Sequence, residues 1–333
     1  MIGKTPLSKS TAVIFLILTL FSACSASDSR QVKSSAEAES KSLIKNTQFE
    51  NNKRTFAIVF PLLHPFFAET NRGAKEMADN IGVNLILVGP HHYSVEEQIQ
   101  MMEQLIEKSV DGIGIGPFDP VALNPVIDKA VDSGINVICF DTDAPESRRL
   151  SFISTDNFKQ GMHLGEITAK FLNGKGKIII SQGVPTQLNL NQRLEGVRTH
   201  LDGYPGIEIL AVKSGYGNHD QTIASIEDMI DEHPDFDALI GLDAQAGPSA
   251  VVVWKARGLS QHLIVSEDMP ETIKGIRDNV VTATITQEQY RWGKLIVERL
   301  DEASKGINLK TTETTDTRLI VNENVNSYYP DNY

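Results

Sequence analysis

From Thr55 onward the chain alternates short apolar runs with longer amphipathic ones, and that alternation leaves few architectures open. "TFAIVF" (55–60), "VNLILV" (83–88), "DGIGIG" (111–116) and "INVICF" (135–140) are bounded by Gly, Pro, Asn or Asp, as buried strands are. Between them, "FFAETNRGAKEMADNIG", "SVEEQIQMMEQLIEKSV" and "PVALNPVIDKAVDSG" place apolar residues three and four apart, and the first and last close on glycine, a helix stop. Strand, helix and strand repeated in this way predict a parallel sheet covered by helices on both faces. A second series follows in "GKIIISQ" (176–182), "GIEILAV" (206–212), "FDALIGL" (236–242), "HLIVSE" (262–267) and "VVTATIT" (280–286). The fold class expected is therefore α/β, with two similar doubly wound parallel-sheet lobes.

The chain before Thr55 reads differently. Lys4 and Lys9 precede the apolar run Ala12 to Phe21, which small residues and Cys24 follow, in the order of a secretory signal peptide. That run is too short to span a bilayer, which takes about 20 residues. "LFSAC" resembles a bacterial lipobox, so residues 1–23 are expected to be removed and Cys24 lipidated; cleavage after Ala26 is the alternative. Residues 24–53, rich in Ser, Lys, Glu and Asn, bury too little apolar surface to offset their ordering entropy and read as a flexible tether. The second cysteine, Cys139, sits inside an apolar strand and is expected to be a core thiol. The net charge of −12 argues against nucleic acid as a partner, because phosphate binding needs a basic footprint.

In open α/β sheets ligands bind beyond the carboxyl ends of the strands, where strand order reverses. After the first run stand Pro61, His64, Phe66 and Phe67; after the third, Pro117 and Asp119; after the fourth, Asp141, Thr142 and Asp143. The second series offers Gln182 with the downstream Arg193, then Asp243 with Gln245, Asp268 and Gln287. Two facing lobes would gather these groups into one cleft. Carboxylates and carboxamides accept from hydroxyls, a guanidinium donates through a planar fork, and rings cover apolar C–H faces, so the inventory suits a neutral polyhydroxylated ligand.

Each residue also has a structural reading. An Asp after a strand is as readily a helix cap as a ligand acceptor, and only the recurrence of Asp141, Asp243 and Asp268 on successive strand ends favours a site. His91 and His92 lack a third ligand at a telling spacing, so no metal is expected. There is no G-x-S-x-G elbow, and Asp141 and Asp143 are not an acid/base pair across a scissile bond. No catalytic residue and no cofactor follow from the sequence, and the chain is not expected to be an enzyme.

From Phe56 to Tyr333 the order of motifs resembles the periplasmic-type solute-binding proteins of the ribose- and galactose-binding class, which feed ABC importers. "FAIVFPLLHPFF" is similar to the first strand and turn of the ribose-binding class. "GPFDPVALNPVIDKAVDSGINVICFDTDAP" resembles the third and fourth units, and "NQRLEGV", "LIVSEDMPETIKGI" and "TATITQEQYRWG" follow in the same order. The resemblance implies ligand positions at Phe66, Phe67, Asp141, Arg193, Asp268 and Gln287. His64, Thr142, Asp143 and Asp243 complete the candidate set, His64, Thr142 and Asp243 standing where the ribose binder carries other residues. Part of the outline, "SGYGNHD" among it, also resembles the autoinducer-2 receptor, which differs at Arg193.

What the resemblance implies is a monomeric receptor that closes on a sugar. It would hand that sugar to an ABC permease, or to a membrane sensor. Its expected place is periplasmic or at the cell surface, held to the membrane by the lipid on Cys24. The lobes are expected at 54–156 plus 288–315 and at 157–287 plus 316–333, with crossings near Thr155, Gln287 and Thr315.

Overall fold

The computed structural model describes residues 52–329. The signal segment and Cys24 lie outside them, as does nearly all of the tether. In the first lobe, β1 (Thr55–Val59), β2 (Asn84–Val88), β3 (Gly112–Ile115), β4 (Asn136–Phe140), β5 (Ser151–Thr155) and β11 (Thr312–Thr315) form one sheet in the order β11-β5-β4-β3-β1-β2. Every pairing in it is parallel. In the second lobe, β6 (Lys175–Gln182), β7 (Gly206–Ser214), β8 (Ala238–Gly241), β9 (His262–Ser266), β10 (Ala283–Thr286) and β12 (Arg318–Ile320) take the order β12-β10-β9-β8-β6-β7, with β12 alone antiparallel. Strand order thus reverses between β1 and β3, and again between β6 and β8. A crevice opens at each reversal, because the flanking helices leave in opposite directions.

Helices α1 (Ala68–Ile81), α2 (Val95–Glu107) and α3 (Pro120–Asp132) cover the first sheet, while α4 (Asn157–Phe171), α5 (Leu188–Leu201), α6 (His219–Glu232), α7 (Ala246–Arg257) and α8 (Pro270–Arg277) cover the second. Their starts are written locally: Ser94, Asp119, Asp156 and Asn218 each accept a hydrogen bond from a backbone N–H in the first turn. The long helix α9 (Gln289–Ser304) follows β10 but packs against the first sheet, its Trp292 in a core with Phe56, Ile58 and Phe140. A last short helix, α10 (Val325–Tyr328), closes the described chain. The chain passes between sheets after Thr155, after Thr286 and after Thr315, so three strands link the lobes. Cys139 is buried in β4, and burial pushes its thiol up to about 12, as suits a core residue.

One contact places the chemistry of the second lobe. Helices α4 and α5 meet backbone to backbone: a β-carbon on Gly161 would stand 2.0 Å from the carbonyl oxygen of Arg193, and one on Gly196 would stand 2.1 Å from that of Phe158. Only glycine permits that separation, and it presses the Arg193 side chain toward the strand ends.

Candidate functional site

Asp141 is the first residue beyond β4, and Glu267 is the first beyond β9, the strand at the same place in the second sheet. Both adopt a left-handed backbone, with φ of 61° and 74°. Non-glycine residues rarely take that conformation without a compensating lattice of bonds. Here the lattice is duplicated. The Asp141 N–H donates to Ile153 at 3.1 Å and the Glu267 N–H to Ile285 at 2.9 Å. The Ser154 hydroxyl donates to the Asp141 carbonyl at 2.9 Å, and that of Thr284 to the Glu267 carbonyl at 2.8 Å. Each lobe thus holds one carboxylate off its fourth strand, turned into the space between the sheets.

Arg193 lies between these acids, 2 % exposed. Its Nε donates to Asn157 at 2.9 Å, and its Nη1 donates to the Leu242 carbonyl at 2.8 Å and to Glu267 Oε1 at 2.9 Å. Gln287 donates to the same Glu267 oxygen at 2.6 Å, while Glu267 Oε2 is buried with no partner. A third acid, Asp243, caps α7 through Oδ1, which accepts from Ala246 N at 2.9 Å, and it too faces the cavity. Burial pushes Asp141 and Asp243 up to about 6 and Glu267 to about 7, against the pull of Arg193.

The pH dependence of stability follows from those three values. Unfolded Asp and Glu titrate near 3.9 and 4.3, so between about pH 4 and pH 7 the folded chain holds protons that the unfolded chain has released. These three groups make stability fall as pH rises through that window, partly offset by His64, whose imidazole, held low by burial, favours the folded chain as pH rises toward its ordinary range. The surface acids Asp132, Asp231, Asp235 and Asp278, held low by hydrogen bonds from Arg148, Arg257, Lys177 and Lys274, act in the opposite sense, but only below about pH 4. The ligand-free chain is expected to melt at a lower temperature at about pH 8 than at about pH 5, and Asp243→Asn is expected to flatten the slope. Equal melting temperatures at the two pH values would contradict this electrostatic account.

Aromatic rings form the opposite wall. Phe66 and Phe67 meet edge to face with centroids 4.9 Å apart, and Phe67 also packs on Phe60 at 5.1 Å. His64 accepts from Phe66 N through Nδ1 at 3.2 Å, and its Nε2 stands 2.9 Å from Gln245 Nε2 of the other lobe. Burial holds the His64 imidazole below its ordinary range. Asn189 of the second lobe donates to Asp141 of the first at 3.3 Å. Tyr93, stacked on Phe118 with centroids 4.6 Å apart, reaches Gly217 across the cleft, and burial raises its phenol.

Gly217 sits at φ +71°, and a β-carbon there would stand 2.2 Å from the Tyr93 ring. The clash exists only where the lobes touch. Gly217→Ala is therefore expected to weaken ligand affinity on the order of tenfold by taxing closure, with a melting temperature a few degrees lower at most. Titration and a melt of the same sample check this; unchanged affinity would show that the Tyr93 contact plays no part in closure.

The structure brings His64, Phe66, Phe67, Asp141, Arg193 and Asp243 to one cavity between the lobes. Four candidates stand elsewhere. Thr142 is buried behind Asp141 with its hydroxyl unpaired. Asp143 turns away to Arg149, whose Nη2 donates to it at 2.6 Å, so its charge is answered inside the first lobe. Asp268 accepts from Gln289 at 3.2 Å and from the Tyr329 hydroxyl, and does not line the cavity. Gln287 backs Glu267 rather than facing the cavity. Glu267, Tyr93, Asn189 and Gln187 line the cavity without having been candidates. Glu267 had a legible signal: Asp141 is the first residue after its strand, and the equivalent residue of the second series is Glu267, one before Asp268. Asp119 is a cap, accepting from Ala122 N at 3.1 Å, and His91 and His92 are exposed on the loop after β2. Among the described residues no group of three His, Cys, Asp or Glu is arranged to hold a metal ion.

Comparison with known proteins bears on the family and the fold. Residues 57–308 match the sequence profile of the family described as periplasmic binding protein domain. The D-ribose/D-allose-binding protein of Pseudomonas aeruginosa is 32 % identical over 247 residues, 70 % of this chain and 76 % of that protein. The ribose import binding protein of Escherichia coli is 25 % identical over 81 % of this chain and 92 % of its own. Among solved structures, a solute-binding protein of an ABC transporter from Burkholderia graminis, in complex with D-arabinose, superposes with a TM-score of 0.81 at 29 % identity, covering 84 % of this chain and 99 % of that one. GanP, a glucose-galactose binding protein from Geobacillus stearothermophilus, superposes at 0.79 with 26 % identity, covering 82 % of this chain and 99 % of that one.

Proposed function

The chain belongs to the periplasmic binding protein family, and from that premise we propose that it captures a monosaccharide-type ligand between its lobes and presents it to an ABC permease. The observation that carries this reading is the cavity itself, where a wall of Phe66, Phe67 and Tyr93 meets buried Asp141, Arg193 and Glu267 and half-buried Asp243, contributed by both lobes. A sugar has the matching duality, with apolar C–H faces for rings and a hydroxyl rim for charged acceptors and donors. Because its contacts would come from both lobes, binding stabilises the closed state, and closure is the signal a membrane partner reads. The signal-like residues 1–23 and Cys24 support export and a lipid anchor.

Isothermal titration of the refolded, ligand-stripped chain against pentoses, hexoses and inositol tests the reading, with micromolar or tighter binding expected. Silence across that panel, with heat only from autoinducer-2, would move the function to signalling. Asp141→Ala is expected to abolish binding, a loss on the order of a hundredfold or more, since it deletes a buried cavity acceptor. Arg149→Ala, which removes the partner of Asp143 and a bond to the Thr311 carbonyl, both away from the cavity, should weaken binding by less than about tenfold. Equal losses from the two would contradict the assignment of Asp141 to the ligand.

A further inference from the structure

The cavity holds more negative charge than its own residues answer. Asp141, Asp243 and Glu267 line it, and Arg193 is the one cation among the lining residues. Most of that guanidinium is committed: Nη1 serves Glu267 and the Leu242 carbonyl and Nε serves Asn157, so Nη2 is the part left to meet a ligand. His64 adds no charge, because its Nδ1 accepts from a backbone N–H and burial holds the ring neutral. Asp141 receives one long bond, 3.3 Å from Asn189, and Asp243 spends Oδ1 on its helix cap. Glu267 Oε2, on a side chain 2 % exposed, is buried with no partner at all.

Buried carboxylates persist where a counter-charge or a full set of donors meets them. A metal ion is a poor candidate for that role, since no three His, Cys, Asp or Glu side chains among the described residues converge to hold one. The rest of the lining is aromatic: Phe66, Phe67 and Tyr93. Rings attract an organic ammonium through their faces from within about 6 Å, and carboxylates hold it by charge-assisted hydrogen bonds.

We propose that the ligand of this cleft carries an ammonium group, and that its class is the amino sugars, with Asp141 and Asp243 holding the cation while Arg193 and Glu267 take hydroxyls. The proposal rests on the sugar-binding reading above and narrows it. A neutral sugar would add only uncharged hydroxyl donors to the Asn189 bond of Asp141 and the Ala246 bond of Asp243; the aminated counterpart supplies the missing charge without changing the ring that the aromatic wall covers.

The test is a matched titration near neutral pH of the ligand-stripped full chain with D-glucosamine, D-galactosamine and D-mannosamine. Each is run beside its neutral parent hexose and its N-acetylated form, which keeps the nitrogen but not the charge. At least one amine is expected to bind about tenfold or more tightly than both of its neutral forms. Asp243→Asn, which preserves a capping oxygen, and Asp141→Asn are each expected to erase that preference while leaving the melting temperature of the chain within a few degrees. A neutral hexose or an N-acetyl form binding as tightly as its amine overturns the proposal and leaves the sugar-binding reading intact, as does a preference that survives both substitutions. Binding by no sugar of any kind overturns both.

Discussion

Arg193→Ala is expected to cost about 3–5 kcal/mol of folding stability and to abolish ligand binding, because removing one partner of a buried ion pair strands the other. The stranded group is Glu267, which would keep only the Gln287 bond while Asp141 and Asp243 lost their common counter-charge. The loss also has a pH signature. Arg193 holds all three acids lower than burial alone would, so in its absence they titrate still higher, and the penalty of ionising them grows as pH rises. Thermal or denaturant unfolding of the ligand-free protein should therefore show a larger difference from wild type at about pH 8 than at about pH 5. The double variant Arg193→Ala with Glu267→Gln should recover part of the stability without recovering binding, since it removes the stranded charge and leaves the cavity without its cation. A variant that melts within a few degrees of wild type at both pH values would refute the view that this pair organises the cleft.

Gly161→Ala should destabilise the second lobe by about 3 kcal/mol, the upper end for overpacking, since the added carbon would stand 2.0 Å from the Arg193 carbonyl and the helices must part. The flexible end of a side chain could yield to it; a backbone oxygen cannot. Parting α4 from α5 also withdraws the guanidinium from Asn157, Leu242 and Glu267, so affinity should fall by more than the stability loss alone accounts for. Glu166→Ala, at an exposed position of the same helix, should lie within about 0.5 kcal/mol of wild type. Denaturant midpoints separate the two outcomes; equal midpoints for both variants would mean that the helices adjust without cost.

The alternation of runs announced both sheets, and every strand read from periodicity between Thr55 and Thr286 is present. The interior strand β5 was not among those runs, and the two late edge strands were harder to see. β11, "TETT", and β12, "RLI", have mixed burial and too little apolar contrast to stand out, and pairing with β5 and β10 makes them strands. In the cleft, His64, Phe66 and Phe67 were legible because a Pro-containing turn directly follows β1, and Asp141 because it directly follows β4. Asp268 drew attention as one more aspartate at a strand end, yet the left-handed turn at Glu267 sends the earlier residue into the cavity and leaves Asp268 to Tyr329 and Gln289.

The sequence alone determined the kind of fold, the two lobes and the strand ends that carry polar chemistry, because period, turn residues and caps are local properties that each segment expresses whatever its neighbours do. Tertiary structure decided which of those polar groups share a cavity. Asp143 and Asp268 have the same composition and the same kind of position as Asp141 and Asp243, but each finds a partner within hydrogen-bond reach outside the cavity, in Arg149 for one and in Tyr329 with Gln289 for the other. Tyr93 enters the site across the gap between lobes because residue 217 has no side chain. Which charge is answered at home and which is left facing the cleft depends on distances between residues far apart in the chain, and those exist only once the lobes have folded and met.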